Sequence, residues 1–541
     1  MEYLVRFSQS HESFRLAEIQ ALATLENVEL EIVSYIPDVR VVHPLQAPLK
    51  FSPANLQSPF CIVRLASDDA AARLVRRSLL AQSIHSLWGM ADTLPAFYED
   101  ISKRAAPLWP AYMKQSFKLE SDSFQGKRSN KARLALIDSF GAVLPLEGDI
   151  DMRDPDMVLT VFEHWTFGSV QKKLSDPERY YLGRFVAGTA RDASLAFDLK
   201  KRRYIATTSM DAELSLLTAN LALAAPGKLF YDPFVGTGSF PLAAAHWGAT
   251  AWGSDIDGRA VRGSAAGING AGGSGGSRFG RSDVRGNFEQ YNLLSSFGDV
   301  FTADLTHIPL RVGGKNRWID GIICDPPYGV REGPRVLGVR NPEKKPWAVE
   351  VGKTMYKDPL FIPPKQPYSF LALLNDLLHF ASETLVDHGR LSFWMPTAND
   401  ESQELPIPSH PCLSLESVCT QVFNKWSRRL ITYQRLSDSE VDAEALAAVI
   451  EAAATAPRLK GQTANDLNPF RKGYFSKFES PDGPASPATR SAPAASEQPR
   501  PRPELPETTP AEAVSPAIAS IPRPETETAQ AATTSLASAP D

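Results

Sequence analysis

A chain of 541 residues with a formal net charge of -5 is long enough for two or three domains with sizeable cores. It contains no apolar run long enough to cross a bilayer, and its first twenty residues lack the basic start and apolar block of a signal peptide. Four scattered cysteines, none in a CxxC pair, argue against a disulfide framework or a self-contained zinc site. We therefore expect a cytoplasmic protein without a bound metal or a membrane anchor.

The net charge comes from the end of the chain. Of the 62 acidic and 57 basic residues, nine acids and four arginines lie in Glu479–Asp541, which leaves 53 of each elsewhere. This segment also has thirteen prolines and no aromatic residue, so it cannot bury enough apolar surface to offset the entropy of ordering. We expect a disordered Pro/Ala/Ser-rich tail over 479–541. The neutral remainder still permits nucleic-acid binding if its bases cluster on one face.

Residues 1–100 alternate between strand and helix patterns and predict a small α+β domain. The predicted strands are EYLVRF, ENVELEIVSYIP and PFCIVRLA. Two segments have the apolar spacing of helices, SFRLAEIQALATL and DDAAARLVRRSLLAQSIHSLW.

Residues 101–200 combine basic and aromatic side chains. Lysines and arginines recur in Lys127–Arg133 and Lys200–Arg203, and Trp109, Tyr112 and Phe124 are among the aromatic residues nearby. RNA-binding proteins use lysine and arginine side chains to contact phosphates and aromatic rings to stack on bases. The alternative to RNA binding is that these charges are solvated and cover an ordinary aromatic core. Composition alone favours this alternative.

Short apolar strands alternate with helical segments over residues 201–440, which indicates a doubly wound, mostly parallel sheet. The predicted strands are KLFYD, TAWGSD, DVFTAD, IDGIICD and RLSFWMP. Four of the five end in aspartate, and ligands of such sheets bind beyond the carboxyl ends of the strands. The aspartates are therefore candidate site residues. SVCTQVFNKWSRRLITYQRL predicts an antiparallel edge pair, and residues 441–478 follow as a C-terminal extension.

The first of these strands runs through LFYDPFVGTGSFPLAAA into a turn and a helix. Asp232 ends the strand, and Gly236 and Gly238 allow positive φ and close approach of a ligand to the backbone. The helix N-terminus that follows favours a negative group, either an amino-acid carboxylate or a phosphate. A plain strand–helix turn is the weaker alternative, because acid, proline, two glycines and helix arrive in order.

Further acids follow the next two strands. Asp255 lies where doubly wound nucleotide-binding folds place an acid on the ribose hydroxyls, whereas Asp257 is suited to cap the helix that begins near Gly258. Asp304 is suited to accept a hydrogen bond from an exocyclic amine such as adenine N6, with a helix or turn cap as the alternative. The Gly-rich segment 265–283 lacks the context of a dinucleotide fingerprint and predicts a flexible insertion.

The segment IDGIICDPPYG puts an acid, two prolines and an aromatic residue directly behind an apolar strand. Asp325 and the backbone carbonyl of Pro326 can accept hydrogen bonds from an exocyclic amine, whose lone pair is otherwise delocalised into the ring. Pro326 and Pro327 fix φ, so these acceptors are in place before substrate arrives. Tyr328 can stack on a base extracted from its helix. A proline-rich turn with Asp325 as a cap is the minority interpretation.

The motifs DPFVGTG, GSDID, TAD and DPPYG, in this order, resemble S-adenosylmethionine-dependent methyltransferases that modify exocyclic amines. ATTSMDAELSLLTANLA, FEQYNL and DPPYGVREG narrow the resemblance to the catalytic subunits of the eukaryotic tRNA (guanine-10 N2)-methyltransferase family, which carry an N-terminal THUMP RNA-binding domain. The match is strong over about 200–400, whereas over 1–200 it is one of domain order and composition. The resemblance implies a Rossmann-like methyltransferase domain at 201–440 and a THUMP-like RNA-binding region at 101–200.

The resemblance also implies the cofactor, the partners and the site. S-adenosylmethionine would be the methyl donor, tRNA the acceptor, and a small zinc-binding activator subunit the protein partner. The implied catalytic residues are Asp325, Pro326, Pro327 and Tyr328. The implied cofactor-binding residues are Ser209, Asp232, Phe234, Gly236, Gly238, Asp255 and Asp304.

Two questions stay open at this level. The first question is the activity of the chain. One alternative is another amine methyltransferase, acting on guanine in rRNA or on adenine in DNA. The other, from a different class, is a noncatalytic tRNA-binding scaffold. The second question is the role of the residues after DPPYG. Arg331 and Glu332 are suited to face RNA or to order their loop. The segment 334–367 either closes over the substrate or is a disordered insertion.

Overall fold

The computed structural model describes residues 1–35, 58–263, 282–313, 317–329, 333–338, 363–398, 405–423 and 426–455. Two seven-stranded sheets with flanking helices hold most of these residues, and both belong to one unit, Met1–Ser480. The predicted tail, nearly all of the Gly-rich segment, Arg331 and Glu332 lie outside the described residues. Within them, no helix is long and apolar enough to cross a membrane.

The N-terminal sheet has the strand order β2-β3-β1-β4-β7-β6-β5. Its strands are β1 (Glu2–Phe7), β2 (Glu31–Tyr35), β3 (Phe60–Arg64), β4 (Ala81–Ala91), β5 (Phe117–Phe124), β6 (Met157–His164) and β7 (Arg179–Gly188). The helices of this half are α1 (Arg15–Glu26), α2 (Asp68–Val75), α3 (Leu94–Arg104), α4 (Trp109–Tyr112), α5 (Asn130–Ser139), α6 (Ser169–Lys172) and α7 (Asp192–Ala196). Strand β4 pairs with β7, so strands on both sides of residue 100 share one sheet.

The pattern DDAAARLVRRSLLAQSIHSLW predicted one helix, and this prediction is wrong over its second half. Helix α2 starts after Ser67, whose side chain caps it, and β4 follows at Ala81. Between them, the buried Glu18 carboxylate accepts hydrogen bonds from the backbone amides of Leu79 (2.8 Å) and Leu80 (3.0 Å). Because a side chain distant in sequence takes these amides, tertiary contacts override the local helical spacing.

The second sheet has the order β10-β9-β8-β11-β14-β16-β15 and confirms the predicted doubly wound fold. The strands of this half are β8 (Leu229–Asp232), β9 (Thr250–Asp255), β10 (Phe297–Thr302), β11 (Ile319–Cys324), β12 (Arg335–Leu337), β13 (Lys365–Pro367), β14 (Leu385–Ala398), β15 (Leu413–Val422) and β16 (Trp426–Arg435). Its helices are α8 (Ala212–Leu221), α9 (Ser239–His246), α10 (Gly258–Val261), α11 (Val284–Gln290), α12 (Phe370–Thr384) and α13 (Ala443–Thr455). Strands β8, β9, β10, β11 and β14 are parallel, and β15 and β16 form the predicted antiparallel edge pair.

The strand order reverses between β8 and β11. The chain builds outward from β8 through β9 to β10, then returns to add β11 and β14 on the other side. Residues of β8 and β11 pair directly, with Phe230 opposite Gly321 and Tyr231 opposite Ile322. In doubly wound sheets such a reversal marks the crevice where ligands bind. Asp232 and Asp325 are the residues at the carboxyl ends of this strand pair.

Buried hydrogen bonds join the two halves of the chain. Glu18 of α1 accepts from Nδ2 of Asn220 in α8 at 2.9 Å. Arg77 donates from Nε to Oδ1 of Asn220 at 2.9 Å and from Nη1 to the carbonyl of Ala224 at 2.8 Å. Glu18 and Asn220 are fully buried. Since buried polar groups are stable only with partners, this network ties α1 and α2 of the first half to α8 of the second.

We expect Glu18→Ala to lower the free energy of unfolding by about 3 kcal/mol, because buried donors lose their common acceptor. These donors are the hydroxyl of Ser78, the amides of Leu79 and Leu80 and the side chain of Asn220. Urea denaturation measures the change. The control is Glu12→Ala, which removes a partly exposed carboxylate 3.8 Å from Arg15 and should cost less than about 0.5 kcal/mol. Equal losses in both variants would contradict the prediction.

Candidate functional site

The glycine turn after β8 has the positive φ values that its sequence predicted. Gly236 has φ 48° and Gly238, the residue that precedes α9, has φ 82°. A Cβ at Gly238 would lie 2.7 Å from Cγ1 of Val284, whereas one at Gly236 would meet only the carbonyl of Phe234, at 3.9 Å. The backbone of Gly236 is therefore open to a ligand, and Gly238 packs against α11.

Asp232 lies beneath this turn and is 1 % exposed. Its Oδ1 accepts a hydrogen bond from the amide of Phe234 at 2.9 Å, and its Oδ2 is buried without a hydrogen-bond partner among the described residues. Burial raises the pKa of Asp232 well above its usual range, and the nearby carboxylates of Asp255 and Asp325 raise it further. A buried acceptor with a free lone pair is what a donor group on a ligand would satisfy.

Asp255 connects the end of β9 to the glycine turn. Its Oδ2 accepts from the amide of Gly236 at 3.0 Å and its Oδ1 from the amide of Asp257 at 2.8 Å. Asp257 caps α10 through the amide of Arg259 at 3.1 Å, as its position predicted. Asp255 is only partly buried, so the carboxylate that orders the turn also lies at the surface of the crevice.

Ser209 holds the segment before α8 against the same turn. Its hydroxyl lies 2.6 Å from Oγ1 of Thr237 and accepts from the amide of Ala206 at 2.9 Å. The turn is thus braced from two sides, by Asp255 and by Ser209.

Asp304 makes the contacts of a cap. Its Oδ1 accepts from the amide of Thr306 at 3.0 Å, and its Oδ2 accepts from the amide of Leu337 in β12 at 2.7 Å. The residue is 2 % exposed. The capping alternative therefore describes its hydrogen bonds, and its role toward an adenine amine stays a prediction.

Asp325 follows the last residue of β11. Its Oδ1 is buried and has no hydrogen-bond partner among the described residues. Burial raises the pKa of Asp325 to about 7, and the positive charge of Arg428 acts in the opposite direction. Pro326 is buried and Pro327 partly so. Because the prolines limit backbone freedom on one side and β11 on the other, the backbone of Asp325 has a fixed position.

Aromatic side chains lie beside this acid. Tyr328 is partly buried, and its ring centroid is 6.0 Å from that of Trp426, with 51° between the planes. Trp426 stacks on Phe423 at 4.8 Å and 24°. Trp426, Phe423 and Arg428 are not recognisable as site residues from the sequence, because about a hundred residues separate them from Asp325. Their only signal was the aromatic and basic content of the predicted edge pair.

Comparisons with known proteins match both halves of the chain. Residues 1–191 match the family model described as the Tmrp11 THUMP N-terminal domain, and residues 200–336 match the RMKL-like methyltransferase domain. The doubly wound sheet, the acid–glycine turn and the DPPY loop, together with the second match, define an S-adenosylmethionine-dependent methyltransferase.

Curated relatives narrow the class. The tRNA (guanine(10)-N(2))-methyltransferase of Saccharomyces cerevisiae is 40% identical over 439 residues, which cover 80% of this chain and 92% of the relative. The enzyme of the same name from Schizosaccharomyces pombe is 34% identical and covers 91% of this chain and 99% of its own length. The human relative is 31% identical over 81% of this chain and 89% of its own length. The chain belongs to the tRNA (guanine(10)-N(2))-methyltransferase family, which confirms the resemblance found in the motifs.

We expect Gly238→Ala to lower the free energy of unfolding by about 2 kcal/mol, because the new Cβ meets a positive φ and the side chain of Val284. Thermal or urea unfolding measures the loss. Val284→Ala removes the contact but also buried methyl groups, since Val284 is fully buried. The double variant should therefore lose less than the sum of the two single losses, but more than Val284→Ala alone because the backbone strain remains. Gly188→Ala, at a strand position where a Cβ meets nothing within 4 Å, is the control and should change stability little.

Proposed function

We propose that this chain transfers a methyl group from S-adenosylmethionine to the exocyclic N2 amine of guanosine in tRNA, at position 10 as the names of its relatives state. The observation that carries the proposal is the carboxylate of Asp325 at the switch point, which has a buried oxygen without a partner among the described residues. A guanine amine provides the N–H donor that such an oxygen lacks. The family match supports tRNA as the nucleic acid that presents this amine.

The residues at the crevice fit S-adenosylmethionine. The donor carries positive charge on its sulfur and its amino group, which would favour the ionised forms of Asp232 and Asp255 at the ends of β8 and β9. Oδ2 of Asp232 can accept from the amino group, and the open backbone at Gly236 allows close approach. When bound, the cofactor supplies a methyl group activated by the sulfonium. We assign Asp232, Phe234, Gly236, Gly238, Asp255 and Ser209 to holding it. For Asp304, the proposal remains that it accepts a hydrogen bond from the adenine amine of the cofactor.

Asp325 and its neighbours would prepare the acceptor amine. The carboxylate accepts a hydrogen bond from N2, which favours a pyramidal nitrogen whose lone pair is directed at the methyl group. As positive charge develops on the nitrogen, Asp325 can take the proton, and a pKa of about 7 suits this transfer near neutral pH. The carbonyl of Pro326 is a second acceptor. Tyr328 would stack on the guanine, with Trp426 supporting the Tyr328 ring from behind.

We further propose that the N-terminal half, with its THUMP match, binds and orients the tRNA, and that the protein acts in the cytoplasm with a small zinc-binding activator subunit. The activator follows from the family resemblance. Strand β10 is an edge of the methyltransferase sheet, and Leu294 just before it is 41% exposed. An unpaired edge with an exposed apolar side chain is compatible with a partner that covers it.

Acceptor mapping tests the proposed function against its alternatives. The purified chain, alone and with the activator, is incubated with labelled S-adenosylmethionine and with tRNA, rRNA or duplex DNA, followed by nucleoside analysis. We expect label in N2-methylated guanosine of tRNA. Label in rRNA guanine or in DNA adenine, with tRNA unlabelled, would mean that the chain is a different amine methyltransferase. Binding of tRNA without label in any acceptor would favour a noncatalytic scaffold.

We expect Asp325→Ala to lower kcat at least about 100-fold, because the amine loses its acceptor, while the Kd values for tRNA and S-adenosylmethionine stay within about twofold. Single-turnover methylation and equilibrium binding measure the two effects. The kcat of the wild-type chain should rise with pH through about 7, since the protonated carboxyl is a weaker acceptor and cannot take the proton of the amine.

The matched control for this variant is Asp320→Ala in the same strand. Asp320 lies near the amino end of β11, where it accepts from the amide of Leu229 at 2.8 Å and lies 3.3 Å from Nζ of Lys228. Its loss should leave kcat within about twofold, because it is remote from the crevice. Full activity of Asp325→Ala would remove this carboxylate from the mechanism.

A further inference from the structure

Arg428 is a cation in a fixed position on β16. Its guanidinium lies 4.6 Å from the ring centroid of Trp394 and 5.6 Å from that of Phe423. Its Nε donates to Oε1 of Gln421 in the neighbouring strand at 2.6 Å. The side chain is 14% exposed. Stacking on an indole and a hydrogen bond in the guanidinium plane together restrict both the position and the orientation of this group.

Among the described residues, the nearest carboxylate compensates the charge of Arg428 only partly. Nη2 of Arg428 is 3.8 Å from Oδ2 of Asp211, which is beyond hydrogen-bond distance. The same carboxylate also caps α8, because Oδ1 of Asp211 accepts from the amide of Leu214 at 2.9 Å. A cation without a tight carboxylate partner stabilises other negative charges nearby.

Strand register brings this cation to the end of the sheet where Asp325 lies. Strand β14 pairs with β11 on one side, with Phe393 opposite Cys324, and with β16 on the other, with Phe393 opposite Ile431. Asp325 comes directly after Cys324, and Trp394, which carries the guanidinium of Arg428, comes directly after Phe393.

A second contact links the same elements. Trp426, two residues before Arg428, lies against Tyr328, three residues after Asp325. The start of β16 and the DPPY loop are therefore neighbours.

In the part of the chain that the structure describes, three titratable groups interact with the Asp325 carboxyl. Asp232 on β8 and the Cys324 thiol on β11 each have their pKa raised by it, and Arg428 on β16 lowers the pKa of Asp325 itself against the larger effect of burial. Of these three, Arg428 alone favours the charged form of Asp325. A buried carboxyl without such a cation would hold its proton to higher pH.

We propose that Arg428 is a positioning residue for the methyl-transfer reaction, which keeps the Asp325 carboxylate ionised so that it can accept from the guanine amine. The inference rests on the proposed function of Asp325. Arg428 acts through Asp325 and is not assigned a contact with the substrate. Trp394 and Gln421 hold the guanidinium in place for this task.

The test compares the pH dependence of kcat for the full chain and for the variants Arg428→Met and Arg428→Lys, with tRNA and S-adenosylmethionine saturating. For Arg428→Met we expect kcat to fall about fivefold at pH 7 and the acidic limb of the profile to move up by about one pH unit, so that most of the deficit disappears by pH 8.5. Arg428→Lys retains the charge and should keep the wild-type profile within about threefold. Kd values for both ligands should stay within about twofold.

The matched control is Arg317→Met. Arg317 is similarly buried, with a side chain 19% exposed, and pairs with Asp438 at 2.8 Å just before the amino end of β11. Strand β11 spans six residues, which puts about 20 Å between this arginine and Asp325. Its loss should leave the pH profile unchanged.

Each outcome supports or overturns the inference. A deficit of Arg428→Met that is the same at every pH would indicate a merely structural arginine, and an unchanged profile would remove the residue from the reaction. A lysine variant as impaired as the methionine variant at pH 7 would contradict a role for charge. If the wild-type chain methylates no tRNA guanine, the proposed function itself has failed; if it does and the variant profile does not move, only this inference has.

Discussion

Two carboxylates at adjacent strand ends, each with a buried oxygen, are the constraint on which the site depends. Asp232 and Asp325 follow β8 and β11, which pair directly, and each has an oxygen without a hydrogen-bond partner among the described residues. Burying acceptors in this way costs stability, and their mutual repulsion adds to the cost. A cationic donor at one carboxylate and an amine at the other would relieve both. A ligand that donates to these oxygens removes the cost of burying them unpaired, and this gain favours the binding of these two ligands.

The rest of the crevice holds these groups still. Asp255 and Ser209 brace the glycine turn above Asp232, and the two prolines restrict the chain after Asp325. Rigid surroundings matter because methyl transfer requires nitrogen, carbon and sulfur in line, and a displacement of about 1 Å in the acceptor lowers the rate strongly. In the proposed function, the aromatic residues of the edge pair would line the acceptor side. The first strands of the sheet would hold the donor and the later ones the acceptor.

Local sequence patterns were sufficient where one strand and its own turn define the feature. The aspartates at the ends of β8, β9 and β11, the glycine conformations and the cap at Asp257 all follow from neighbouring residues. Prediction was wrong for the second half of the 68–88 segment because Glu18, about sixty residues away, takes the amides that a helix would have used. It missed Trp426 and Arg428 for a related reason. Strand patterns do not specify which strand lies beside which loop, and only the pairing of β14 with both β11 and β16 brings these residues to Asp325.

The network around Glu18 has a consequence for how the chain can be divided in the laboratory. A fragment that ends near residue 200 would keep Glu18 and Arg77 but lose Asn220 and Ala224, which satisfy them in the intact chain. The complementary fragment would expose α8, most of whose residues are buried. Folding of either piece alone would leave members of this polar network without the partners that the other piece supplies. Ligand measurements on isolated halves would therefore describe destabilised fragments, and expression of the uninterrupted polypeptide is the sound basis for separating RNA affinity from turnover.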